Sequence, residues 1–331
     1  MTLYRKILKQ AMEIAWRHKY LWFFGLFASL LGNAVEYEAL SQILSGGAPR
    51  NFFPNLQKII ETGVFSGETL TNIGKIMSED PFSLFALLAV GLLMLILFAY
   101  LIWLAVVSQA ALINSSADIM AGKKLKAMSI QSGVASGMKN FWPVFGLNIL
   151  IKAVIFIIFS LLSLPIILAA GGIGAATANF IYLILFLILV PLALGFALMI
   201  KYSMAYVVIR GSGFLESVKQ GWRLFIKNWL VSLEMAIILF FVNLFVGLTL
   251  SLVILTLAMP FALLAIFSFK LASIFVFWLV VVTAIAAILA LIILTGSALA
   301  VFQISSWTGL FIELVGKGGS SKIVRLMSRI I

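Results

Sequence analysis

Four long stretches of the chain contain no aspartate, glutamate, lysine or arginine: 81–117, 153–200, 235–269 and 271–312. About 20 apolar residues in a helix cross the roughly 30 Å hydrocarbon core of a bilayer. Each stretch can therefore hold at least one membrane span, and 153–200 can hold more than one. The chain is 63% hydrophobic and only 10% charged, far from the composition of a soluble domain. The sequence predicts an all-α, polytopic membrane helix bundle.

The apolar segments and the residues that flank them predict six transmembrane helices. Pro81 begins the second span, Lys201 closes the fourth, and Pro260 follows the fifth. A short uncharged connection at 171–179 precedes the fourth span, and a tight connection at 260–270 precedes the sixth. The predicted spans are 20–35, 81–107, 141–168, 178–200, 229–258 and 271–299.

Lysine and arginine are unequally distributed between the two sides that six spans would define. Of the 23, four lie on one side (Arg50, Lys58, Lys75 and Lys270), Lys152 lies within a span, and the other 18 share the side of both chain ends. Because positively charged loops stay in the cytoplasm, both termini are predicted to be cytoplasmic, in a multi-pass protein of the cytoplasmic (inner) membrane. The basic start and the short apolar segment after it also fit a cleavable signal peptide.

Three segments of similar character precede alternate spans: 10–27, 132–149 and 217–234. Each combines an amphipathic stretch, a lysine and an aromatic cluster, which is typical of the entry of a span at the membrane interface. This internal repeat favours a span, not a signal peptide, at the start of the chain. The predicted interface anchors are Lys19, Trp22, Lys139, Trp142, Lys227 and Trp229.

The returning spans match one another as well. Each ends near a glycine, with a small polar residue eight positions earlier: Asn114 before Gly122, Ser203 before Gly211, and Thr308 before Gly316. The pattern is either chance or the sign of three hairpins around a pseudo-threefold axis. The hairpins would be 1–122 with an outside loop at 35–80, 123–211 and 212–316, followed by a basic tail at 317–331.

The amphipathic lead-in segments allow two interpretations. In 3–16 the apolar residues recur at helical spacing, while Arg5, Lys6 and Lys9 lie off that stripe. Basic amphipathic helices lie in the membrane interface and favour anionic headgroups. Alternatively, the lead-in helices pack on one another as a cytoplasmic collar.

The chain lacks the residues that most catalytic sites need. His18 is the only histidine, there is no cysteine, and the two aspartates, Asp80 and Asp118, are predicted on opposite sides of the membrane. This excludes serine–histidine catalysis, an aspartate dyad, and cysteine or histidine metal sites. The net charge is +12. Because the basic residues flank apolar spans, they indicate membrane topology, not nucleic-acid binding. We expect no enzyme, no cofactor and no metal.

Two charged residues fall inside predicted spans. Glu234 lies seven residues after Lys227, and Lys152 lies eleven residues, about 16 Å, past Phe141. Charged residues inside a membrane mark functional sites unless they are paired. The alternatives are a polar site for an ion, a headgroup or a proton, a structural ion pair, or a lysine that extends to the interface. The polar site would combine these two residues with Asn148, Gln109 and Gln303.

The segments IRGSGFLESVKQGWRLFIKNWLVSLEMAII (209–238) and AMEIAWRHKYLWFFGLFASLL (11–31) resemble a group of bacterial six-span integral membrane proteins. These are similar to the membrane domain that is fused to some glycerophosphoryl diester phosphodiesterases. In the fused enzymes hydrolysis belongs to a separate soluble domain, for which this chain has no counterpart. The resemblance implies a bacterial membrane module that handles or senses lipid near a partner.

Two functions fit these observations. The first is a non-enzymatic membrane module that binds or organises membrane lipids, with anionic headgroups on the cytoplasmic side, or binds a membrane or cytoplasmic partner protein. The second is a small transporter or channel whose polar path passes Glu234 and Lys152. Transport requires a hydrated route with polar groups along it, whereas a module does not.

Overall fold

The computed structural model describes residues 3–31, 81–122, 130–170, 174–270 and 274–317. Within these ranges the chain forms nine α-helices and no strand. The predicted outside loop 35–80 and almost all of the basic tail lie outside the described residues. The helices are α1 (Leu3–Arg17), α2 (Leu21–Leu31), α3 (Pro81–Met120), α4 (Ile130–Lys139), α5 (Phe141–Ala170), α6 (Ala175–Arg210), α7 (Phe214–Lys227), α8 (Trp229–Lys270) and α9 (Ile274–Lys317).

Five of these helices, α3, α5, α6, α8 and α9, are long and apolar enough to cross a membrane. They contain between 30 and 44 residues each. The helix α2 is described over only 11 residues. The chain is thus a helical, multi-pass membrane protein, as the charge-free stretches predict.

The long helices extend past the predicted ends of the spans. The expectation of a turn at 260–270 was wrong, because α8 continues through Pro260 to Lys270. Likewise Lys201 does not close α6, which runs on to Arg210. A proline removes one backbone donor, whereas ending the helix in hydrocarbon would leave several backbone groups without partners. Continuing the helix through Pro260 therefore costs less free energy than ending it there.

The chain divides into two compact units, described separately below. The first comprises 1–31, 105–147 and 198–331, and the second comprises 32–104 and 148–197. In the first unit the core gathers the buried stripe of α1, the start of α2, and the C-terminal parts of α3, α6 and α9. Tyr202, Phe24 and Phe311 are among its largest fully buried side chains.

Small residues let the three short helices α1, α4 and α7 approach three different long helices of the first unit. A Cβ on Gly137 of α4 would overlap the carbonyl oxygen of Val107 in α3. A Cβ on Gly221 of α7 would overlap the Ser203 hydroxyl in α6. In α9 it is Gly309 that makes room, and Ile7 of α1 packs against it. Close backbone approach of this kind is the usual role of small residues between membrane helices.

Glycine ends two of these long helices. Gly122 after α3 and Gly211 after α6 have φ angles of 70° and 68°. This left-handed conformation at a helix end favours glycine because it has no Cβ. Gly316 differs, since it lies inside the last turn of α9. The glycine pattern in the sequence therefore marks two left-handed helix ends out of three.

The second unit has a much smaller core. Ile158 and Leu162 of α5 are buried with Leu189 of α6. Many other apolar side chains of this unit, such as Phe156 and Leu187, are exposed in the absence of lipid. Such a surface is what a pair of membrane helices presents to acyl chains.

Replacing Gly137 or Gly221 by alanine should destabilise the protein. The added methyl group has no room, and overpacking of this kind costs about 1–3 kcal/mol. We expect the midpoint of thermal unfolding in detergent to fall by several degrees for each variant. Gly247→Ala is the matched control, because a Cβ there meets no atom within 4 Å. Equal effects of all three variants would contradict the close approach.

Candidate functional site

Glu234, the carboxylate inside the predicted fifth span, is bonded to the first helix. The phenolic hydroxyl of Tyr4 in α1 donates a hydrogen bond to the Glu234 carboxylate. Tyr4 is buried, with 3% of its surface exposed, and Glu234 is half-buried. Hydrogen bonds to an ionised group are stronger than those between neutral groups. This bond therefore ties α1 to α8 across 230 positions of sequence.

The position of Tyr4 follows from the amphipathic pattern of α1. Its buried residues recur every three or four positions, so they form a single face of the helix. They are Tyr4, Ile7, Ala11, Ile14 and Ala15. That face packs into the core of the first unit, and Ile7 lies against Gly309 of α9. The apolar stripe of α1 is thus used for packing on the long helices of the first unit, whereas packing of the lead-in helices on one another as a collar stays a prediction.

Three further polar pairs join helices of the first unit. The Gln303 amide of α9 donates to the Asn243 side chain of α8 at 2.5 Å. The hydroxyls of Ser116 in α3 and Ser305 in α9 lie 2.8 Å apart. Those of Tyr202 in α6 and Ser232 in α8 lie 2.6 Å apart. Buried polar side chains that satisfy one another in this way fix the register of adjacent helices.

Contacts between α8 and α9 show where Glu234 lies along the bundle. Asn243 and Gln303 are almost equally far from the connection at 271–273, so the two helices run antiparallel. Glu234 lies nine residues, about 14 Å, from Asn243 towards the start of α8. It therefore lies level with the last turns of α9, where the bundle is well packed, and away from the exposed apolar parts of both helices. The sequence places Glu234 inside the fifth span only if that span starts where α8 starts, at Trp229.

The five residues of the expected polar site belong to different units. Glu234, Gln109 and Gln303 lie in the first unit, whereas Asn148 and Lys152 lie in the second. Gln109 and Asn148 are buried, at 7% and 5% exposure, and Lys152 is exposed. Glu234 and Gln303 have separate partners within the first unit. Convergence of all five residues stays a prediction.

The expected interface anchors are mostly exposed. The lysines at 19, 139 and 227 are exposed, as are Trp142 and Trp229, at 75% and 55%. Trp22 is half-buried, and its indole N–H donates to the Ala15 carbonyl at 2.7 Å. Exposed tryptophan beside exposed lysine is the arrangement found at the membrane–water boundary.

Sequence reasoning missed three contributors to the polar contacts. In the sequence Tyr4 is only one residue of an amphipathic stretch, and Asn243 is a single amide in a charge-free run. The third is the Lys201 ammonium, which lies 4.8 Å from the centre of the Trp307 ring. A polar residue inside an apolar helix was the available signal for Asn243 and Lys201, because such residues need partners.

The described part of the chain offers little for cofactor chemistry. Within it, no three histidine, aspartate or glutamate residues come close enough to hold a metal ion. One open groove lies on α8, lined by residues of that helix alone, among them Thr249, Thr256 and Pro260. Binding pockets are usually concave and formed by several elements. The groove therefore has the form of a lipid-facing surface rather than a substrate pocket.

Comparisons with protein-family models, with curated proteins and with solved structures find no significant match.

Replacing Tyr4 by phenylalanine should destabilise the fold, because it removes the hydroxyl that donates to Glu234. Hydrogen bonds to charged groups contribute roughly 1.5–3 kcal/mol. We expect a lower midpoint of thermal unfolding in detergent, with little further loss when Glu234→Gln is added to the same chain. Tyr100→Phe is the control, since Tyr100 is 54% exposed on α3. Tyr4→Phe behaving like the control would contradict a stabilising contact.

His18, in the turn between α1 and α2, should make stability depend on pH. Burial lowers its pKa, the adjacent Arg17 charge lowers it further, and Glu13 partly offsets both. The folded state therefore disfavours protonation, so stability should fall as the pH drops below about 6.5, where the unfolded chain binds a proton. Unfolding midpoints at pH 8 and pH 5.5 would measure the loss. His18→Gln should lose less, and an equal loss would contradict the prediction.

Proposed function

We propose that the chain is a non-enzymatic membrane module of six spans that binds anionic lipid headgroups through its amphipathic helices. In this proposal α2 is the start of the first span, and both termini are in the cytoplasm of a bacterium. The module consists of three hairpins, each preceded by α1, α4 or α7. The resemblance to the six-span membrane domains that are fused to some phosphodiesterases agrees with such a module. That resemblance is itself part of the proposal.

The single observation that carries the proposal is the division of α7 into three faces. Ser217, Gly221 and Leu224 form a buried face. A second face is apolar but exposed, and it contains Leu215, Trp222 and Ile226. A third, next to the second, contains the exposed basic residues Lys219, Arg223 and Lys227. An exposed apolar strip beside a basic strip is typical of a helix that lies in the headgroup layer.

α1 also combines a buried face with exposed apolar and basic residues. With about 100° of rotation per residue, Arg5 and Lys9 lie in the same exposed sector as Met12 and Trp16, and Lys6 lies beyond it. Met12 and Trp16 are 52% and 67% exposed. Arg5, Lys6 and Lys9 are all exposed.

On α4 the order is again buried, apolar and polar. Gly133 and Gly137 are buried, Ile130 and Met138 are exposed, and Lys139 lies on the polar side. The order has the same rotational sense on α4 as on α7. Three helices related by a pseudo-threefold axis along the membrane normal would turn their apolar strips towards the same leaflet, which is what interfacial binding requires.

The pattern of helix contacts supports three hairpins. α4 packs on α3, α7 packs on α6, and α1 packs on α9. In the three-hairpin arrangement each lead-in helix thus contacts the returning helix of the preceding hairpin, and α1 closes the ring. A cyclic order is what a threefold repeat would generate, whereas chance similarity between apolar helices would not require it.

Neutralising the basic strip of α7 should weaken binding of anionic lipid. Each basic residue near an anionic surface contributes about 1 kcal/mol, so replacing Lys219, Arg223 and Lys227 by glutamine should weaken binding at least tenfold. Native mass spectrometry of the detergent-solubilised protein, titrated with phosphatidylglycerol and separately with phosphatidylcholine, would measure this. The preference for phosphatidylglycerol should also decline as salt is raised.

Glu216→Gln is the control, because Glu216 is exposed on the same helix and carries the opposite charge. It should leave phosphatidylglycerol binding unchanged or increase it. If the triple variant keeps the full preference for phosphatidylglycerol, α7 is not a headgroup-binding helix and the proposal fails. The transporter alternative would then be preferred, and its polar path could be sought by thiol labelling in this cysteine-free chain.

A further inference from the structure

Lys152 lies on an otherwise apolar, exposed face of α5 in the second unit. Its neighbours on that face include Ile149, Phe156 and Ile157, each more than half exposed. The opposite face of α5 is used for packing, because Ile158 and Leu162 are buried with α6. Within the described residues Lys152 makes no ion pair with a carboxylate. A single cation thus interrupts a surface that acyl chains would cover.

The helix itself indicates the depth of this cation. From Lys152 to its end at Ala170, α5 continues for 18 residues without a charge, which is about 27 Å. That length nearly equals the roughly 30 Å hydrocarbon core. If this apolar part crosses the core, the Lys152 backbone lies near the boundary on the side of the α5 N-terminus. This is shallower than a span that starts at Phe141 would place it.

A lysine at that boundary can reach the headgroups. Side chains on a helix point back towards its N-terminus, which here is the direction out of the hydrocarbon. Lysine has a flexible four-carbon stem with a compact ammonium group at its end. Extending the stem along the helix brings the charge to the interface and avoids the cost of about 2.5–3.5 kcal/mol for a charge deep in the bilayer.

We propose that Lys152 binds the phosphate of an anionic phospholipid whose acyl chains lie along Phe156 and Ile157. The ammonium supplies the positive charge, and the exposed side chains on the hydrocarbon side of Lys152 supply the apolar contact. A carboxylate on a partner's membrane helix is the competing occupant, but a lysine that reaches the interface has no need of one. This site shares with the proposed function the premise of lipid contact, and it involves no residue of α7.

The test measures phosphatidylglycerol binding by native mass spectrometry of the full chain, in the background with the α7 basic strip neutralised. Lys152→Gln should weaken the remaining binding about fivefold, the effect of one charge near the surface. Lys152→Arg should restore it. A hundredfold excess of inorganic phosphate should leave lipid binding almost unchanged, because free phosphate lacks the acyl chains.

Lys270→Gln is the matched control, because Lys270 is an exposed lysine at the end of α8. It should not reproduce the effect. The proposal is overturned if Lys152→Gln binds phosphatidylglycerol as well as its parent, which is the result that a carboxylate partner predicts. Full competition by inorganic phosphate would also overturn it. Both results concern Lys152 alone. The proposed function is tested separately, by the triple α7 variant in the otherwise native chain.

Discussion

Helix length is the constraint on which the arrangement of this protein depends. α8 and α9 contain 42 and 44 residues, so each is about 63–66 Å long. The hydrocarbon core is only about 30 Å thick. Part of each helix must therefore be covered by protein or headgroups. In α9 the first half is largely exposed and apolar, whereas residues 297–314 are largely buried. The short amphipathic helix α1 supplies much of that cover.

The polar contacts of the first unit are concentrated in this covered part. The Ser116–Ser305 and Tyr202–Ser232 pairs and the Tyr4–Glu234 bond all lie where long helices meet one another or a short helix. Apolar packing alone allows two smooth helices to slide past one another, whereas a satisfied hydrogen bond selects one register. The lipid-exposed parts need no such selection, because acyl chains fit many surfaces. The covered part of each long helix is thus held in one register, whereas the lipid-exposed part can contact acyl chains in many arrangements.

Much of the architecture could be predicted from the sequence, because charge-free stretches and amphipathic periods are local signals. The long helices, the buried stripe of α1 and the glycines at 122 and 211 are of this kind. The depth of Glu234 could not be predicted, because it depends on how far α8 continues beyond the bilayer. Its partner Tyr4 is 230 residues away, and a single sequence contains no signal for a pair so distant. The convergence of Lys152 with Glu234 stays a prediction.

The packing of α1 on α9 also has a consequence for biosynthesis. The surface that accepts Ile7 includes Gly309, which is translated about 300 residues later. At roughly 5–20 residues per second, the first helix waits about 15–60 s for its packing site. During that interval its apolar stripe needs temporary cover, and the membrane surface can provide it. α9 is then the helix that draws α1 into the fold, so this contact forms only after α9 has been translated.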